Sequence, residues 1–213
     1  MLSLHNLSIK VNDFQLSFPG HIRIDPGEKV LVTGKNGAGK SVLLYAILDL
    51  VKNRKGEIHI MGKLNTGDGW QKKTGAYLDP YFLVPFLNPM EHLIYMGKVK
   101  RVRGALVNPL MKEATERLEF DLFQKKLIRE LSAGNRQKLG IISSLVGEPG
   151  LLVWDEPWAN LDASAHEGLT ALMETLREQT IVFAEHVHAS GFGYSRRLEV
   201  EGGLVSEKEQ YHL

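Results

Sequence analysis

The chain has 213 residues, of which 43% are hydrophobic and 24% charged, with a formal net charge of +1. That length allows one domain with a substantial core, and the near-neutral balance gives no electrostatic reason to expect a nucleic-acid partner. The lack of cysteine excludes disulfides and thiolate metal centres and fits a reducing compartment.

Leu2, Leu4, Leu7, Ile9 and Val11 alternate loosely, as a half-buried strand does. Phe14, Leu16 and Phe18 repeat the pattern up to Pro19-Gly20, which reads as a turn, and Ile22 and Ile24 continue it to Asp25-Pro26-Gly27-Glu28. Together these segments predict antiparallel β-structure. Val30-Leu31-Val32 reads instead as a buried parallel strand. Ser41 to Leu50 follows as a helix apolar on nearly every side, expected inside the domain. Lys52 to Gly56 reads as a turn, and Ile58 and Ile60 mark another strand. From about residue 81 the periodicity becomes helical. Asn108-Pro109 is a helix start with proline at its first position, and Leu110, Ala114 and Leu118 share a face. Leu139, Ile142 and Val146 mark a second helix, closed by Gly147 and Pro149. Leu151 to Trp154 is again a buried strand; Asp162 is placed to cap a helix with Ala165, Leu169, Leu172 and Leu176 inward. Ile181 to Ala184 is a third buried strand, and Glu201-Gly202-Gly203-Leu204 signals a tight hairpin. The most apolar run, Val42 to Leu48, is far short of the ~20 residues that span a bilayer. The N-terminal segment lacks the basic region and apolar core of a signal peptide. A cytosolic protein is expected.

Two stretches carry the chemistry. Gly34-Lys35-Asn36-Gly37-Ala38-Gly39-Lys40-Ser41 reads G-x-x-x-x-G-K-S, a phosphate cradle of the Walker A type. Its glycines let backbone N–H groups turn inward onto phosphate oxygens. Lys40 is placed to reach the β- and γ-phosphates, and the Ser41 hydroxyl to ligand Mg²⁺. The strand–loop–helix setting adds the favourable potential of a helix N-terminus. Further on, Asp155 and Glu156 directly follow the buried strand, where ligands of open α/β sheets bind. Asp155 is suited to hold Mg²⁺ through its water shell, and Glu156 to orient or deprotonate the water that attacks the γ-phosphate.

Leu131-Ser132-Ala133-Gly134-Asn135 supplies a third motif at a helix start. With it the chain resembles the ATP-binding cassette (ABC) ATPases, whose signature reads Leu-Ser-Gly-Gly-Gln. Ala159-Asn160-Leu161-Asp162 resembles the family's D-loop, and His186 stands where its switch histidine does. The resemblance implies an α/β fold: a P-loop NTPase core and antiparallel β-subdomain over 1–80 and 147–213, with an inserted helical subdomain over 81–146. It implies that ATP and Mg²⁺ are the cofactors. Two cassettes, identical or not, close head to tail on ATP. Ser132 and Gly134 of one cap the γ-phosphate held by Walker A of the other, while His186 contacts that phosphate and the attacking water. The other implied partner is a separate transmembrane permease, which would hold the protein at the inner face of the cell membrane.

The run Ser132 to Lys138 resembles exporters of the ABC-2 type, so export is the expectation, with an importer ATPase as the alternative. The largest departure is Tyr77-Leu78-Asp79-Pro80, where relatives read Tyr-Leu-Pro-Gln; Asp79 is expected to replace the missing glutamine near the metal. That departure motivates a further alternative, a weakly hydrolysing regulator. The adenine-stacking position falls on Val11, with Phe14 the nearest aromatic. Lys98 to Arg103 reads as a solvated basic face, and Trp158 as either packing or a contact surface.

Overall fold

A computed structural model of the chain describes residues 1–52, 54–79, 82–102, 108–185 and 193–208. Three buried parallel strands form its centre: β3 (Lys29–Thr33), β7 (Leu151–Asp155) and β8 (Thr180–Ala184). Their near-continuous apolar runs follow from burial on both faces. Because successive side chains point to opposite faces, the runs divide between two cores. Val30, Val32, Leu151, Val153, Val182 and Ala184 join one cluster with Leu43, Leu44 and Ile47 of helix α1 (Lys40–Ile47). Leu31, Leu152, Trp154, Ile181 and Phe183 join the other, with α4 (Ala133–Ser144) and α5 (Ala163–Thr175).

The remaining strands are β1 (Leu2–Val11), β2 (Phe14–Ile24), β4 (Arg54–Ile60), β5 (Lys63–Leu64), β6 (Thr74–Tyr77), β9 (Arg196–Glu201) and β10 (Leu204–Lys208). All ten form one curled sheet in the order β5-β4-β1-β2-β10-β9-β3-β8-β7-β6. β1 pairs antiparallel with β2 and β4, as the alternation predicts. β9 and β10 close through Gly202 and Gly203, both at positive φ (55° and 78°), which a tight two-residue hairpin requires.

Pro19-Gly20 does not turn the chain. β2 runs through it, and the two residues face Asn6 alone, between the pairs Leu7↔Phe18 and His5↔His21. This is a β-bulge, where a missing proline N–H costs no ladder bond. It also explains why the apolar alternation of β1 slips between Leu4 and Leu7. The reading of Lys52 to Gly56 as a turn is likewise corrected: β4 already begins at Arg54. Gly56 sits inside β4 because a Cβ there would lie 2.3 Å from the His5 carbonyl oxygen.

Between β6 and β7 the described chain is helical. α2 (Pro89–Val99) starts with a capping box, Asn88 accepting from the Glu91 N–H and Glu91 from the Asn88 N–H. α3 (Pro109–Arg117) is capped by Asn108 with Pro109 at its first position, as expected. Asp162 caps α5 by accepting from the Ala165 N–H at 2.8 Å. Lys100, read as part of a solvated face, is half-buried instead: its ammonium donates to the Thr74 and Val146 carbonyls, tying the end of α2 to β6 and to the end of α4. Among the described residues no helix is long and apolar enough to cross a membrane.

α3 and α5 touch where Gly168 faces the Arg117 carbonyl; a Cβ at 168 would lie 2.0 Å from that oxygen. Helix propensity alone favours Gly168→Ala by ~1 kcal/mol, but overpacking costs ~1–3 kcal/mol. The clash is with backbone, so the second effect wins. Urea unfolding of Gly168→Ala is expected to show lower stability than the parent chain; equal or higher stability would contradict this packing.

Candidate functional site

The parallel register sets the site. Ala184 of β8 pairs with Val32 of β3 on one side and Asp155 of β7 on the other. The phosphate loop and the acidic pair therefore leave the sheet side by side at one end. Backbone bonds hold this edge, the Glu156 N–H donating to the Ala184 carbonyl at 2.9 Å and the Glu185 N–H to Val32 at 3.1 Å.

The loop runs from β3 into α1 with Gly34, Gly37 and Gly39 at φ of 151°, 76° and 111°. Gly39 occupies the N-cap of α1 in a left-handed conformation. Its second constraint is space: a Cβ would lie 2.7 Å from the Phe14 ring. Lys40 is buried, and its ammonium donates to the Gly34 carbonyl at 3.0 Å, folding the side chain back across the loop. Lys35 and Asn36 are exposed, and Ala38 packs partly against the core.

Asn36, Gly37, Gly39, Lys40, Ser41 and Glu156 line one cleft of about 610 Å³. Its far wall is the β1–β2 turn with Val11 and Phe14. Thus both aromatic-position candidates face the cleft. Asp155 stands behind Ser41. Burial raises its pKa most; the Ser41 side chain lowers it by hydrogen bonding, Glu156 raises it, Lys40 lowers it and Asp79 raises it. The Asp155 Oδ1 atom is buried with no hydrogen-bond partner. A buried acceptor of this kind carries a desolvation cost that a hydrated cation beside it would remove. The donor set of Ser41 hydroxyl and Asp155 carboxylate thus fits Mg²⁺.

Asp79 does not line the phosphate cleft. It lines a neighbouring groove with Tyr77, Phe82, Leu83, His92 and Met96. Its charge still reaches Asp155, whose pKa it raises as the smallest of several effects. Ser132 caps α4, its hydroxyl accepting from the Asn135 N–H at 3.2 Å. Neither Ser132 nor Gly134 lines this chain's own phosphate cleft. His186 lies outside the described residues.

Gln137, which the sequence reading passes over, locks these parts together. Fully buried in α4, its amide nitrogen donates to the carbonyls of Glu156 (3.0 Å) and Pro157 (2.6 Å). Its oxygen accepts from the backbone and side chain of Asn160. Gly134 completes the contact, because a Cβ there would lie 2.7 Å from the Asn160 carbonyl oxygen. Local pattern does not single it out, because Lys138, Ser143 and Ser144 are also buried polar residues of α4. Trp158 is settled as packing: it is buried against Phe183 and donates to Thr170 at 3.2 Å.

A family model described as "ABC transporter" matches residues 20–159. The chain belongs to the ABC transporter family. Among curated relatives, a maltose/maltodextrin import ATP-binding protein from Vibrio parahaemolyticus is 28% identical over 99% of this chain and 59% of its own length. A molybdate/tungstate import ATP-binding protein from Pyrococcus horikoshii is 30% identical over 88% of this chain and 54% of its own. The chain therefore spans little more than half of such relatives. A solved dimeric ATP-binding cassette in a post-hydrolysis state bound to ADP and Pi superposes over the whole of both chains with a TM-score of 0.79 at 23% identity. The α/β ABC ATPase fold is thereby established.

Two outcomes check the site's framework. Gln137→Leu removes an amide that satisfies two buried carbonyls and the Asn160 donors, so a stability loss of about 1–3 kcal/mol is expected in urea unfolding. His92, buried with its Nε2 3.1 Å from the Ser143 hydroxyl, has its pKa lowered from 6.5 to about 4 by burial. The folded chain then binds this proton less readily than the unfolded chain. Its contribution is whole above pH 6.5 and is lost as pH falls through about 4. In His92→Leu, unfolding free energy is expected to fall less steeply over that interval; an unchanged slope would count against it.

Proposed function

We propose that this chain binds MgATP in the Walker A cleft and hydrolyses it as the ATPase subunit of an ABC importer. The observation that carries the ATPase reading is the shared strand edge, which brings Lys40, Ser41 and Glu156 to one cleft, with Asp155 hydrogen-bonded behind Ser41. In this reading the backbone of residues 34–41 and Lys40 hold the phosphates, and Ser41 and Asp155 hold the metal, which neutralises phosphate charge when bound. Glu156 takes the proton of the attacking water, and His186 contacts the γ-phosphate. Ser132 and Gly134 serve the cleft of a second cassette, because they stand apart from their own. Residues 1–80 and 147–213 form the catalytic core and 81–146 the helical subdomain.

The direction of transport rests on the relatives. Both curated relatives described above are named as import ATP-binding proteins, as is a spermidine/putrescine relative from Thermotoga maritima, 26% identical over the full chain and 59% of its own length. They favour import over the ABC-2 exporter expectation drawn from the run Ser132 to Lys138. The permease is proposed to contact the groove beside Asp79, where Phe82 and Phe86 are exposed, and to hold the protein at the inner face of the membrane. Asp79 in place of glutamine supports one second reading, a cassette that binds ATP but hydrolyses it weakly.

Glu156→Gln is expected to bind ATP and pair with a second copy while turnover falls by about 100-fold or more. Phosphate release and light scattering with MgATP measure the two. No hydrolysis by the parent chain with its permease supplied would favour the weakly hydrolysing reading. Asp79→Ala is expected to change the Mg²⁺ dependence of turnover; an unchanged dependence would remove Asp79 from the site.

A further inference from the structure

The groove beside Asp79 is edged by large apolar side chains that the fold leaves in solvent. Leu50 and Phe82 line it and are 52% and 64% exposed. Helix α2 turns His92 and Met96 into it. Tyr95 and Val99, both exposed, share that face of the helix, so the four residues follow the spacing i, i+3, i+4 and i+7. An apolar stripe of this spacing running out of a groove is a surface onto which an amphipathic helix packs. The groove volume is about 270 Å³, below the roughly 300–1,000 Å³ of small-molecule pockets. It admits inserted side chains rather than a whole small ligand.

Among the described residues that line the groove, Asp79 is the one carboxylate, and none is lysine or arginine. His92 supplies no positive charge there, because burial lowers its pKa to about 4 and leaves it neutral at neutral pH. β6 runs parallel to β7 with Tyr77 opposite Trp154, so Asp79 leaves the sheet at the same end as Asp155. Covering the groove with apolar groups alone would remove water from Asp79 and put nothing of opposite charge in its place, which is costly. We propose that the groove receives an amphipathic helix that carries one lysine or arginine among apolar side chains, with the basic group meeting Asp79. This rests on the reading above that the permease contacts the groove, and it names the chemistry by which that partner is selected. An acidic residue at the same place would face Asp79 and be rejected.

A displayed library of ~14-residue amphipathic helices, varied along the apolar stripe and at one central position, tests this on the purified full chain. The parent is expected to enrich lysine or arginine at the central position. Asp79→Asn is expected to lose that preference, and Asp79→Lys to enrich aspartate or glutamate instead. In fluorescence titrations a selected lysine peptide is expected to bind about tenfold or more tighter than its glutamate counterpart. Phe82→Ser and Val99→Ser change exposed side chains, so their thermal midpoints should match the parent while selected peptides bind about tenfold more weakly. No enrichment, enrichment without a charge preference, a basic preference that survives Asp79→Lys, or peptides indifferent to Phe82→Ser and Val99→Ser would each overturn the proposal. Binding of a fluorescent ATP analogue by the same proteins tests the ATPase-subunit reading separately. ATP binding without charge-selective peptide binding removes the basic partner alone, and peptide selection without ATP binding removes the ATPase reading alone.

Discussion

Ala184 is a small residue with a large consequence. Paired in register between Val32 and Asp155, it fixes the level at which three parallel strands end. One residue of slip in either pairing would turn the apolar sets of that strand to the wrong faces. Both cores resist such a slip, since the valines of these strands fill one and Trp154 and Phe183 the other. The geometry of the cleft is thus held by the packing of side chains that never meet a nucleotide. Only past that level does the chain take conformations a core would not permit: Gly34, Gly37 and Gly39 at positive φ, and Glu156 itself at φ 47°.

Strain of this kind needs neighbours that over-determine it. On the acidic side the neighbour is Gln137, whose amide meets the carbonyls of Glu156 and Pro157 and the donors of Asn160. On the phosphate side it is the ring of Phe14, which leaves no room for a side chain at Gly39. The first comes from the helical segment and the second from the antiparallel sheet. The cleft therefore depends on both flanking parts of the molecule.

Much of this was legible from local pattern. Gly34 to Ser41 and the Asp155-Glu156 pair stand out because each is a contiguous motif, and the strand–loop–helix order around Gly34 to Ser41 follows from apolar runs alone. Asn108 and Asp162 were readable as caps because capping is decided within a few residues. By the same logic Asn88-Pro89-Met90-Glu91 was readable and went unused. What local pattern could not give was pairing. Pro19-Gly20 has every mark of a turn, and only its partner Asn6 makes it a bulge. Lys100 looks solvated until the carbonyls of Thr74 and Val146 close on it. His5 and His21 stack their rings through a register that neither strand encodes alone.

Gly134 and Gln137 hold the start of α4 against residues 156–160 through backbone contact and a fourfold-bonded amide. These two segments consequently have no separate freedom of rotation. If the helical part of the molecule swings, the hinge must lie elsewhere, and the loop behind Glu156 is carried along as cargo. In engineering terms the surface that presents Ser132 and the carboxylate of Glu156 are mounted on one bracket. Displacing either by an ångström displaces the other.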